Sequence, residues 1–247
     1  MRLAIMQPYF FPYIGYFQLI EYVDKWIVFD DVQYIRKGWV NRNRVLHPDI
    51  QKGWQYLTVP VRKHKKGTFI SSIRINDDLR WKEELLGKLS HYRRSAPYYS
   101  QVEEMILECF SCESEALSKW LVNCLSIVCE RLCIDFDYEI FSEMSQEIEP
   151  AQHAGQWALN IASSIGADVY VNPPGGWDIF HEDEFVQKGI DLKFINPEIV
   201  DYKQGKREFM PGLSILDVML WNNEDEIKKL LTSFTLCSMA EMRRING

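Results

Sequence analysis

The sequence has no long apolar run. Its first apolar stretch, Leu3 to Met6, stops at Gln7 and Pro8, too short for the core of a secretion signal. The helical pattern around residue 120 carries Lys119, Glu130 and Arg131, which excludes a bilayer span there. A cytoplasmic location is therefore expected. Net positive charge is also missing. The formal charge is -7, which argues against broad binding to nucleic acid or to an anionic membrane. No Pro-, Ser- or Gly-rich stretch is long enough for a flexible linker. Of the 6 cysteines, five fall between Cys109 and Cys133. Cys109-Phe110-Ser111-Cys112 is a C-x-x-C match without a second pair or a nearby histidine to complete a zinc set. These read as buried core thiols. Only 5 histidines occur. His181-Glu182-Asp183-Glu184 lacks the second histidine of a zincin helix, and His153 reads as a structural residue near a helix start. No metal ligands are assigned. There is no nucleophile elbow, catalytic triad or P-loop, so no covalent intermediate is expected.

What is present is organised around residues 3–44. Leu3 to Met6 reads as a buried strand. A Pro-rich loop follows, then a helix marked by Tyr13, Tyr16, Phe17, Ile20 and Val23 at three- and four-residue spacing. Trp26 to Phe29 reads as a second strand ending at Asp30 and Asp31. Strand, loop, helix and strand at this spacing make a βαβ unit with parallel strands. Ligands of open parallel sheets sit outside the carboxyl ends of the strands. Gln7, Tyr9 and the Asp30-Asp31 pair are the polar candidates there. Residues 32–44 then mix aromatic and basic side chains, among them Lys37, Trp39, Arg42 and Arg44, with Asn41 and Asn43 interleaved. Arg and Lys suit phosphate and Asn suits a base or a sugar hydroxyl. A ribbon with solvated alternate faces is the competing reading.

Further along, Trp54–Val59 and Ile70–Ile75 read as a hairpin. Residues 79–133 read as three amphipathic helices forming a packing layer. Phe136–Phe141 reads as a strand returning to the sheet, and Ala151–Ile165 as a helix stopped by Gly166. Asp168–Val171 opens into Asn172-Pro173-Pro174-Gly175-Gly176-Trp177-Asp178, a second strand-end loop. There Gly175 and Gly176 let backbone approach a ligand and Asp178 accepts from hydroxyls. Asp191–Ile195 completes a second βαβ-like unit, and Ser214 caps a helix. The expectation is one α/β domain over 1–247, a Rossmann-like parallel sheet in which 45–135, a hairpin plus helices, is inserted between two βαβ-like units.

Three stretches, MQPYFFPYIGYFQLI, FDDVQYIRKGWVNRNR and LTVPV, together with YVNPPGGWDIF, YKQG and LSILDVML, carry a resemblance. The chain resembles the bacterial WbqC-like family, found with genes for O-antigen and other surface polysaccharides. The resemblance implies transfer of an acyl or aminoacyl group, glycyl among the candidates, to the amine of a nucleotide-linked amino sugar. Under it Lys37 and Arg42 hold a diphosphate, Trp39, Asn41, Arg42 and Asn43 match the family's motif, and Asp30 or Asp31 serves as general base. Tyr13-Ile14-Gly15-Tyr16 after a Pro-rich loop is also similar to the His-x-Gly-His loop of nucleotidyltransferases, with tyrosine at both histidine positions. That likeness implies an alternative, a carboxylate-activating enzyme using ATP, with magnesium held through Asp30 or Asp31. A non-catalytic nucleotide-sugar-binding protein is the third reading.

Overall fold

The computed structural model describes residues 1–246. In chain order the elements are β1 (Arg2–Met6), α1 (Ile14–Tyr22), β2 (Lys25–Val28), β3 (Arg42–Leu46), β4 (Trp54–Thr58), α2 (Trp81–Leu89), α3 (Tyr99–Phe110), α4 (Leu117–Arg131) and β5 (Tyr138–Ile140). There follow α5 (Gln156–Ser164), β6 (Val169–Asn172), α6 (Glu182–Gln187), β7 (Asp191–Pro197), α7 (Ile215–Trp221), α8 (Glu224–Leu231), β8 (Phe234–Cys237) and α9 (Met239–Asn246). Six strands form one sheet in the order β5-β2-β1-β6-β7-β8. All neighbours are parallel except the β7–β8 pair. The fold is thus α/β with a Rossmann-like core, as the strand-helix-strand spacing predicts.

The strands read as continuous apolar runs because both faces are covered. Ala4, Trp26, Val28, Val171 and Ile195 point into one core with α1 to α4, α7 and α8. Leu3, Ile5, Ile27, Tyr170, Leu192 and Phe194 point into the other with α5, α6 and α9. Alternation along each strand assigns the face. The helices α2 to α4 bury Leu85, Met105 and Leu121 in the same cluster as Phe17 and Leu216, so the layer shares its core with the sheet.

The expected hairpin is corrected. The antiparallel partner of β4 is β3, in register from Arg42↔Thr58 to Leu46↔Trp54. Residues Ile70–Ser72 form a 3-10 turn instead. Their backbone lies along 30–34, with Ile70 N–H donating to the Val32 carbonyl and Ser71 N–H to the Asp30 carbonyl, both at 2.9 Å. The reason is the pattern of β3. Asn43, Val45 and Leu46 are buried while Arg42 and Arg44 project outward. Arg42 lies 4.0 Å from the Tyr56 ring centroid, a cross-strand cation-π contact. A strand with two arginines on its open face is easily taken for a binding loop. The strand β8 and the helix α9 close the sheet edge and were not anticipated by the sequence pattern.

Candidate functional site

The order in which strands are added reverses between the parallel strands β1 and β6, since β2 lies beyond one and β7 beyond the other. Such a switch point leaves a crevice at the strands' carboxyl ends. Here it holds about 720 Å³ and is lined by Met6 and Gln7 of the β1 end, Asn172 to Gly175 of the β6 end, and Ala154, Trp157 and Ala158 of the α5 start. Aromatic walls come from Tyr9, Tyr13, Tyr16, Phe29 and Trp39. A smaller pocket of about 270 Å³, lined by Asn43, Arg44 and Gly212, has Tyr9, Tyr13 and Trp39 in common with it as lining residues.

The Pro-rich loop is held from below. Phe11 has φ 38, a strained region for a side chain with a Cβ. Asn43 Nδ2 donates to the Phe10 and Phe11 carbonyls at 3.1 and 2.9 Å, and the Ser214 hydroxyl donates to the Phe11 carbonyl at 2.7 Å. Asn43 is therefore an internal fastener that also edges the small pocket. Asn41 is likewise internal, its Nδ2 donating to the Val59 carbonyl at 2.8 Å. Both stand 7% exposed or less, so their amides work mainly inside the fold. Tyr16 is 1% exposed and its hydroxyl donates to the Gln7 carbonyl at 2.8 Å, so it forms the floor rather than a free ligand group. Tyr9 and Tyr13 stay partly open. Burial raises both phenol pKa values, Tyr9 adding to the rise at Tyr13. They remain protonated donors at neutral pH.

The Tyr13-Ile14-Gly15-Tyr16 loop has a steric logic of its own. A Cβ on Gly15 would lie 2.7 Å from Tyr13 Cζ and 2.8 Å from Pro197 Cγ. Gly15→Ala is expected to push the Tyr13 ring out of place, at a cost of about 1–3 kcal/mol. Chemical denaturation measures that loss. A stability equal to wild type would show that Tyr13 moves freely.

Asp30 and Asp31 do not meet in the crevice. Asp30 is 1% exposed. Its carboxylate accepts from Ser142 N–H at 3.0 Å and from the Ser142 hydroxyl at 2.9 Å. It fastens the chain after β5 to the end of β2. Burial raises its pKa, and the Ser142 and Ser118 hydrogen bonds oppose the rise. Asp31 is exposed. Neither carboxylate is among the residues that line the crevice. Lys37, with φ 62, is exposed, and its carbonyl accepts from the Arg42 guanidinium. Neither Lys37 nor Arg42 lines the crevice or its extension. The cation that does is Arg44, 5.3 Å from the Trp39 ring centroid and 5.2 Å from that of Trp54. Among the basic residues of 32–44, the sequence pattern does not single out Arg44 as a site residue. Strand alternation, which puts Arg44 on the face of Arg42, was the available signal.

In the second loop, Pro173, Pro174 and Gly175 line the crevice, while Gly176, at φ 84, and Asp178 are not among its lining residues. Asn172 is buried and accepts from the Tyr170 hydroxyl at 2.9 Å. Trp157, at the start of α5, forms a crevice wall beside Phe29, with ring centroids 6.1 Å apart.

The WbqC-like protein family matches residues 7–229. The chain belongs to this family. A Mycobacterium tuberculosis protein described as uncharacterized protein Rv1507c is 28% identical over 228 residues, covering 88% of this chain and 92% of its own. No solved structure matches. Among the described residues, no helix is long and apolar enough to cross a membrane.

Two stretches of this WbqC-like chain, YKQG and LSILDVML, meet at one buried acid. Asp217 is 0% exposed and accepts from the hydroxyls of Tyr92 at 2.6 Å and Tyr202 at 2.8 Å and from Gln204 Nε2 at 2.9 Å. Gln204 Oε1 accepts from Met210 N–H at 2.7 Å. The network therefore fixes the loop that leads to Gly212 at the small pocket. Elsewhere the fold brings His153 to His181 and Glu184, the one group of three or more such side chains among the described residues with metal-binding separations.

Proposed function

We propose that this WbqC-like protein is an enzyme of surface-polysaccharide assembly that transfers an acyl or aminoacyl group, glycyl among the candidates, to the amine of a nucleotide-linked amino sugar. The observation that carries the reading is the aromatic crevice at the sheet's switch point, which shares Tyr9, Tyr13 and Trp39 with a pocket containing Arg44. Two adjoining pockets suit a sugar joined to a nucleotide through a diphosphate. Arg44 meets the diphosphate, for which a guanidinium is the best-matched cation. Trp39 and Trp157 offer flat faces to a base or a pyranose. Gln7, Tyr9 and Tyr13 hydrogen-bond hydroxyls, and the Pro173–Gly175 backbone closes on the ligand.

The transfer needs little chemistry from the protein. The neutral sugar amine attacks the carbonyl carbon of an activated donor, such as a thioester or an acyl phosphate. The new N–C bond forms, and the donor's C–S or C–O bond breaks with its electron pair leaving on sulfur or oxygen. The amine proton passes to solvent or to that leaving group. Tyr9 and Tyr13, kept protonated by burial, are the donors available to the carbonyl oxygen as it gains charge. Orientation of the two substrates supplies the remaining acceleration.

Thermal unfolding with UDP- and dTDP-linked amino sugars tests the reading. A ligand at about a hundredfold its Kd stabilises the native state by roughly 2.7 kcal/mol. At this chain length that raises Tm by roughly 5–10 °C. The shift is expected with wild type and with Arg42→Gln, and is expected to vanish with Arg44→Gln. Mass spectrometry then looks for acylation of the sugar amine. A shift with ATP and magnesium alone would replace the reading by the carboxylate-activating one. A nucleotide-sugar shift without acylation by any activated donor would leave a binding protein.

A further inference from the structure

We propose that His153, His181 and Glu184 form a binding site for a divalent transition-metal ion, with zinc the best match, at the rim of the crevice. This inference stands independently of the proposed transfer activity. His153 comes from the turn before α5, His181 is the residue before α6, and Glu184 lies in the first turn of α6. His153 Nε2 is 3.0 Å from Glu184 Oε2 and 3.2 Å from Oε1, and His181 Nδ1 is 3.5 Å from Glu184 Oε1. One donor atom from each residue falls within 4.8 Å of the other two. Zinc–nitrogen and zinc–oxygen bonds of about 2.0–2.1 Å place tetrahedral ligands roughly 3.3 Å apart. The spacing found here spans that value.

The composition of the site selects the ion. Two imidazoles and one carboxylate suit zinc and its transition-metal neighbours, whereas magnesium and calcium favour oxygen donors. The imidazoles stack with centroids 4.2 Å apart at 28°, and both reach the same carboxylate.

The site is also held in shape. A Cβ on Gly155 would lie 2.9 Å from the Ile179 carbonyl carbon, so the segments bearing His153 and His181 are in backbone contact. Ala154 and Phe180, each one residue from a ligand, line the crevice. A bound ion would staple the α5 start to the loop after β6. Three protein donors leave a tetrahedral ion one further position for water or a ligand. The His181 side chain is 60% exposed, which gives the ion a path from solvent.

The test uses the full chain stripped with a chelator and titrated with zinc against a chromophoric competitor. Wild type is expected to bind one equivalent and to gain Tm with zinc but not with magnesium. His181→Ala and Glu184→Gln are expected to weaken zinc binding by at least the roughly 10–100-fold that loss of a supporting partner costs at a metal site, and to lose the zinc-dependent gain. His64→Ala, in the charged turn after β4, is expected to bind as wild type does. Because His181 is largely exposed, its variant should fold without zinc as wild type does, and circular dichroism checks this. Less than one equivalent in wild type would overturn the site. So would equal zinc affinity in wild type, His181→Ala and Glu184→Gln.

Discussion

Asp217→Ala is expected to destabilise the protein by about 3–5 kcal/mol, because it leaves several buried donors without their acceptor. The Tyr92 and Tyr202 hydroxyls and the Gln204 amide converge on this carboxylate. The bonds from Tyr92 and Gln204 are buried and that from Tyr202 is partly so, so water does not readily replace the lost oxygen. The loss corresponds to a fall in Tm of roughly 6–20 °C for a chain of this size. Urea denaturation measures it directly. A loss below about 1 kcal/mol would mean that the three donors find other partners.

Asp217→Asn separates the carboxylate's shape from its charge. Burial raises the Asp217 pKa above the ordinary 3.8, and hydrogen bonds from Tyr92, Tyr202 and Gln204 oppose that rise. A raised folded-state pKa means that this group's contribution is full below 3.8 and is lost as pH rises through the folded value. The asparagine variant has no such titration. Its stability relative to wild type should therefore improve from acid to neutral pH. Asp30, also raised by burial, is present in both proteins and cancels in the difference. A relative stability that moves the other way would show that the hydrogen bonds outweigh burial.

Gly155→Ala is expected to destabilise by about 3 kcal/mol, near the upper end for overpacking. Gly155 has φ -70 and ψ -21, a conformation any L-residue adopts. Conformational entropy alone would thus favour alanine by roughly 0.5–1 kcal/mol. Sterics reverse the sign, because the added Cβ meets the Ile179 carbonyl and lies 3.1 Å from Phe180 Cα. Backbone, unlike a flexible side chain, yields only by moving the whole loop. The crevice wall at Ile179 and Phe180 would shift with it. Gly87→Ala, inside α2 with nothing within 4 Å of its Cβ, is the control and should gain roughly 0.5–1 kcal/mol. Urea midpoints of the two variants check the contrast. Two shifts of the same sign would remove the steric account of Gly155.

Much of the sheet was legible in the sequence. Leu3–Met6, Trp26–Phe29, Asp168–Val171 and Asp191–Ile195 are short apolar runs, and each falls on a parallel strand. Their apolar character follows directly from burial on two faces. The crevice was legible to the same extent, since its position depends on strand ends that the runs mark. Gln7, Tyr9, Tyr13 and Gly175 lie there for that reason. The pairing of β3 was missed because outward arginines mask a strand's alternation. The strand β8 was missed because Phe234, Thr235 and Leu236 keep partial exposure at the sheet edge, where no continuous apolar run is required.

By itself the sequence determined the α/β class, the two βαβ-like units, the helical layer and membership in the WbqC-like family. Those depend on local periodicity and on long contiguous motifs. Tertiary structure alone decided how polar side chains divide their work. It buried Asp30, Asn41 and Asn43 as fasteners, aimed Arg44 into the pocket, gathered Tyr92, Tyr202 and Gln204 around Asp217, and set His153 beside His181 and Glu184. The physical reason is that a hydrogen bond or a ligand set depends on separations of a few ångströms between distant segments. Periodicity along the chain carries the direction of a side chain, but not the identity of what it meets.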